Sequence, residues 1–113
     1  MHELAITQSL LQIATEEAQR AGAFQIKVIR LKVGALTDIV PESVQFYLDA
    51  ITPGTIAEGA RLEAIPVPVG ATCPRCGHFF PVEDYNLNCP LCGEIAKITQ
   101  GRELQLDSLE VEK

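Results

Sequence analysis

The chain has 113 residues, the length of one small domain, with 47% hydrophobic residues, 5% aromatics and no tryptophan, so its core is mainly aliphatic. Fifteen Asp/Glu against nine Lys/Arg give a net charge of −6. That disfavours nucleic acid, whose binders need basic patches to displace phosphate counterions, and favours a cation or a partner with a basic face. There is no long apolar run to span a membrane, and the start Met1-His2-Glu3 has neither the basic segment nor the small-residue cleavage site of a secretory signal. The expected location is therefore cytoplasmic, with no membrane partner.

From Leu4 to Ala21 there is no Gly or Pro, and Ile6, Leu10, Ile13 and Ala14 recur at helical spacing. This predicts an amphipathic helix that ends at Gly22. Ile26 to Val33 is β-branched and alternating; Ile29, Leu31 and Val33 share one face, Lys27 stands at its mouth, and Arg30 and Lys32 lie opposite. That pattern predicts a half-buried strand. Pro41 opens a second helix with Val44, Tyr47, Leu48 and Ile51 as its core stripe, and Thr55 to Glu58 adds a further turn. Arg61 to Val69 reads as a strand, placed at a sheet edge by Pro66 and Pro68. Arg102 to Val111 is the third strand, its alternation breaking near Ser108 as a bulge would.

These elements predict an α+β fold: two helices packed on a three-stranded antiparallel sheet, with an inserted zinc-ribbon-like module built on four cysteines. The body takes 1–69 plus 102–113 and the inserted domain takes 70–101. Phe79, Phe80, Val82, Leu87, Ile95 and Ile98 are its expected miniature core.

The module holds all four cysteines of the chain, in two matching runs, Cys73-Pro74-Arg75-Cys76-Gly77 and Cys89-Pro90-Leu91-Cys92-Gly93. Two intervening residues let both thiolates of one turn reach one ion, and the glycine after each pair permits a left-handed backbone. Two such knuckles make a tetrahedral four-sulfur site that suits Zn(II), with iron or redox dithiols as the other readings. A closed site has no position for water, so its role is to staple a segment too small to build a core alone. His78 beside Cys76 is an exposed loop residue, a donor to a thiolate, or a replacement ligand.

Met1-His2-Glu3 is the second candidate site. An α-amine, the following amide nitrogen and the His2 imidazole lie close enough to chelate Ni(II) or Cu(II) in a square-planar array, with Glu3 as an oxygen donor. A frayed tail ahead of a helix is the plain alternative. Asp38 and Glu42, before and within the start of the second helix, either reach such a metal or complement the helix dipole. No nucleophile with a partnered base and no glycine-rich phosphate loop is present, so the chain is expected not to be an enzyme.

Taken together, the Met1-His2-Glu3-Leu4-Ala5 start, Leu31-Lys32-Val33-Gly34, Pro41-Glu42-Ser43, Glu58-Gly59-Ala60-Arg61-Leu62, the two knuckles and Gly101-Arg102-Glu103-Leu104 resemble the HypA/HybF family over nearly the whole length. The resemblance implies a nickel metallochaperone that delivers Ni(II) during maturation of [NiFe]-hydrogenase, and of urease in some bacteria. It implies nickel at Met1, His2 and Glu3, structural zinc at Cys73, Cys76, Cys89 and Cys92, and two partners: the accessory GTPase HypB and the hydrogenase large subunit. The alternative from another class is a zinc-ribbon adaptor that binds a partner without handling nickel.

Overall fold

In a computed structural model that describes residues 3–113, the first helix, α1, spans Glu3–Arg20. Its buried line is Thr7, Leu10, Ala14 and Ala18, which keeps the spacing of three and four residues but is rotated from the one the apolar residues suggest. Ile13, expected inside, is 49% exposed. Thr7 is fully buried because its hydroxyl donates to the Glu3 carbonyl 2.5 Å away, so the hydroxyl is not left without a partner.

β1 (Gln25–Gly34) follows. Ile26, Val28, Ile29, Leu31 and Val33 are all buried; the inward set changes parity between Val28 and Ile29. The three basic side chains of β1 each find an acid. Lys27 lies 2.6 Å from Glu112 and does not join the apolar face, Arg30 pairs with Glu110, and Lys32 lies 3.7 Å from Asp107. α2 (Pro41–Ile51) has proline in its first turn and buries Val44 and Leu48 against α1. The expected extra turn is present, with the Glu58 amide donating to Thr55. β2 (Arg61–Val67) and β6 (Leu104–Glu112) complete a three-stranded sheet of order β2-β1-β6. β2 is an edge strand, as Pro66 within it requires, and it ends at Val67, before Pro68. Along β6 the burial alternation shifts between Ser108 and Leu109, where the bulge was expected.

Two helices and a three-stranded sheet match the expected body, but one pairing differs in direction. β1 and β6 run antiparallel: the Phe24 amide meets the Glu112 carbonyl and the Gly34 amide meets the Glu103 carbonyl. β1 and β2 run parallel, because Arg30 bonds Glu63 at 3.0 Å while the Ala35 amide bonds the Val67 carbonyl at 2.9 Å. The reason is the connection: α2 lies between these strands, and a helical crossover returns the chain in the same direction.

The chain divides into two compact units. One comprises residues 1–32, 39–65 and 105–113; the other comprises 33–38 and 66–104. The second contains β3 (Gly70–Thr72), β4 (Phe79–Pro81) and β5 (Lys97–Gln100) in the order β4-β3-β5, both pairings antiparallel. Its core is Ala71, Cys73, Phe80, Cys89 and Ala96, with Val82 and Leu87 against it. Phe79 and Ile95, expected in this core, are 48% and 64% exposed. Neighbours on a strand face opposite sides, so Phe79 and Phe80 cannot both point inward, and Ala96 takes the inward place beside Ile95.

Candidate metal centre

Each cysteine pair is shaped by the same local hydrogen bonds. The Gly77 amide donates to the Cys73 carbonyl at 2.9 Å, and the Gly93 amide to the Cys89 carbonyl at 2.8 Å. In return the Cys73 amide donates to the His78 carbonyl and the Cys89 amide to the Glu94 carbonyl, at 2.9 and 2.8 Å. Gly77 and Gly93 hold φ at 78° and 79°, a left-handed turn that a Cβ would strain. The second knuckle is thus a copy of the first, sixteen positions further along the sequence.

Folding places the two knuckles face to face. Cys73 Sγ lies 3.4 Å from Cys92 Sγ and Cys76 Sγ lies 3.6 Å from Cys89 Sγ. All four sulfurs fall within 4.8 Å of one another. A Zn–S bond of ~2.3 Å in a tetrahedron separates sulfurs by about 3.8 Å, so the donor set fits one tetrahedral ion. Cys73 and Cys89 are buried and belong to the core of the unit, whereas Cys76 and Cys92 are more accessible.

The electrostatics of the four thiols favour a cation. The Cys76 amide, then that of Arg75, points at Cys73 and, with the Cys92 and Cys76 thiols, holds it down to about 6 against the opposing effect of burial. Cys92 receives the Glu94 amide, which lowers it, yet Cys73, burial, Cys89 and Cys76 together push it up to about 12. The cluster thus forms its first thiolate readily and resists its last, because like charges accumulate in a small volume. A divalent ion removes that conflict and binds all four as thiolates.

His78 is not among the clustered donors. Its ring stacks on Phe80, centroids 6.0 Å apart and planes 18° from parallel, while its backbone carbonyl serves the first knuckle. That carbonyl and the one of Glu94 support the site without any signature in residue type; only the repeat of the two knuckles could have revealed them.

Of the second candidate site, Met1 and His2 lie outside the described residues. Glu3 is the first residue of α1 and is 7% exposed. Glu42 is exposed in the first turn of α2, and Asp38 holds φ at 59° just ahead of it. Among the described residues, the four cysteines are the one group of donors close enough to share an ion, and no helix is long and apolar enough to cross a membrane.

Comparison with known proteins gives concordant matches. The family model described as hydrogenase/urease nickel incorporation, metallochaperone, hypA, matches residues 1–111. Hydrogenase maturation factor HypA of Acidithiobacillus ferrooxidans is 40% identical and that of Geobacter sulfurreducens 41%, each over 99% of this chain and 100% of its own length. The solution structure of the Ni metallochaperone HypA from Helicobacter pylori superimposes with a TM-score of 0.72 at 23% identity, covering 99% of this chain and 98% of that one. A second HypA solution structure gives 0.79 at 24%, covering 98% and 96%.

Proposed function

The chain belongs to the HypA/HybF family of hydrogenase and urease nickel-incorporation metallochaperones, and from that premise we propose that it binds Ni(II) through Met1, His2 and Glu3. It hands that ion on during [NiFe]-hydrogenase maturation, with urease as the second class of target. The body of residues 1–69 plus 102–113 carries the nickel and the inserted domain 70–101 carries structural Zn(II). The partners are the accessory GTPase HypB and the hydrogenase large subunit, the compartment is the cytoplasm, and the chain performs no catalysis of its own.

The observation that carries this reading is the closure of the four-sulfur cluster, all donors within 4.8 Å. Zinc held there has its four positions taken, so a cargo ion needs other donors. Cys73, Cys76, Cys89 and Cys92 hold the zinc, which cross-links two turns and supplies folding free energy to a unit with a small core. Nickel prefers nitrogen donors in a plane. An α-amine, an amide nitrogen and an imidazole at the start of the chain provide them, and the acidic character of the whole chain favours a cation as cargo.

The test is calorimetric titration of Ni(II) into the zinc-loaded chain with its own unextended N-terminus, alongside His2→Ala. One nickel per chain is expected, with at least a roughly tenfold weaker affinity in the variant and unchanged zinc content. Equal affinity in the two proteins would transfer the function to a zinc-ribbon adaptor without a nickel role.

A further inference from the structure

The unit formed by residues 33–38 and 66–104 carries a second feature besides its cysteines. A groove of about 440 Å³ opens between Leu36, Val82, Leu87 and Ile98, with Asp84 and Tyr85 also bordering it. That volume lies in the range of sites that enclose a ligand group. Val82 and Leu87 rest on the core behind it, so the groove has a packed floor. Tyr85 is 95% exposed, an amphipathic ring of the kind that anchors protein interfaces. Asp84 and Tyr85 hold φ at 51° and 60°, a left-handed region that Asp tolerates and an aromatic residue such as tyrosine seldom adopts.

The charge around the groove selects its occupant. Asp84, on its border, is an exposed carboxylate, and among the described residues no basic side chain lines the groove. A second copy of this chain is a poor occupant, because each copy carries a net charge of −6 and like-charged surfaces repel. We propose that the groove docks a segment of a partner protein in which a bulky aliphatic side chain stands beside a lysine or arginine. The aliphatic group enters between Leu36, Val82, Leu87 and Ile98. The cation faces Asp84, and Tyr85 covers the pair from the side. This site is separate from the metals, and its test needs no nickel.

The experiment follows backbone amide shifts in zinc-loaded, full-length protein titrated with three capped hexapeptides, Gly-Ser-Leu-Arg-Ser-Gly, Gly-Ser-Leu-Glu-Ser-Gly and Gly-Ser-Gly-Arg-Ser-Gly. The Leu-Arg peptide is expected to shift the amides of Leu36, Val82, Leu87 and Ile98 and to bind about three- to fivefold more tightly than the Leu-Glu peptide at low salt, as one exposed ion pair allows. The Gly-Arg peptide is expected to leave those amides unmoved. Asp84→Asn keeps a residue tolerant of the left-handed backbone and should bring the first two peptides within about twofold. Leu36→Gln should abolish the shifts while zinc content and the rest of the spectrum stay as they were. No shift at the groove, equal binding of the Leu-Arg and Leu-Glu peptides, or equal shifts from the Gly-Arg peptide would overturn the proposal. So would a groove-dependent dimer in sedimentation, which would assign the surface to a second copy.

Discussion

A Cβ on Gly34 would stand 2.2 Å from the carbonyl oxygen of Gly101, so the two backbones meet at a distance that only glycine allows. The same carbonyl accepts the Leu36 amide at 2.8 Å, and the Gly34 amide donates to the Glu103 carbonyl at 2.7 Å. Gly101 itself holds φ at 119° and gives its amide to the Glu103 carboxylate at 2.7 Å. The clash is with backbone, which cannot swing aside as a side chain would. Gly34→Ala should therefore cost at least the ~1–3 kcal/mol typical of overpacking, read as a lower denaturant midpoint. Gly93→Ala meets no atom within 4 Å and should cost about 1 kcal/mol, from its positive φ alone.

Removal of one thiolate should separate the behaviour of the two units. Cys73→Ala takes away a ligand that also belongs to the core of its unit. Zinc content should fall well below one equivalent, and the amides of residues 66–104 should lose dispersion. Those of α1, α2 and the sheet should persist, because Ile26, Ile29, Leu31, Val44 and Leu48 form an apolar core without a metal. Full zinc retention by Cys73→Ala would refute the four-sulfur assignment.

Extension of the chain before Met1 should abolish tight nickel binding and spare zinc. An added peptide bond turns the α-amine into a neutral amide and places the new amine out of chelate reach. A tag after Lys113 should change neither metal. Calorimetry for nickel and elemental analysis for zinc, on the native, N-terminally extended and C-terminally tagged proteins, check this. Equal nickel affinity before and after extension would leave His2 acting through its ring alone.

Acid should act on the outer face of the sheet. Glu63 is held below the ordinary carboxylate range by the Arg61 guanidinium first and by Arg30 second, against some desolvation. A carboxylate lowered in the folded state adds stability above its unfolded value, and that stability is lost as pH falls through the folded value. The loss should begin near roughly pH 4.5 and continue below it. Glu63→Gln should flatten the acid limb of a stability–pH curve there and leave its slope above about pH 6 unchanged. The expected size is small, since Glu63 is 40% exposed.

On the proposed reading, a GTPase partner that takes nickel from residues 1–3 docks on α1, the helix that begins at Glu3, so that the ion is never free. Glu16 and Glu17 lie on the exposed side of that helix, Glu17 paired with Arg20. Lysine at both positions should weaken capture of the purified GTPase at low salt by severalfold, and unchanged affinity would place docking elsewhere.

What could be read from the sequence was local. Two residues between cysteines and a glycine after them are a complete instruction for a knuckle, because the turn is built from its own backbone. The spacing of α1, Pro41 at the start of α2 and the parity break near Ser108 are likewise contained within a few neighbours. At Met1, His2 and Glu3 the local spacing offered chelation beside a frayed tail, and the family resemblance favoured the nickel reading that is proposed. Contacts distant in sequence were decided by the tertiary structure. The direction of β2 follows from how α2 returns the chain, not from the pattern of β2 itself. Thr7 is buried because it lies on the inward face of α1, where its hydroxyl can bond the helix's own backbone. Gln45 could be read only as a polar helix residue, yet its side chain accepts the Leu62 amide at 2.6 Å and donates to the Ala60 carbonyl at 3.2 Å, closing α2 onto the start of β2. The need for Gly34 arises from Gly101, sixty-seven positions away, and the groove beside Asp84 exists only where residues 36, 82–87 and 98 converge. Periodicity reports which side of an element is apolar; which element meets that side depends on chain return and close packing.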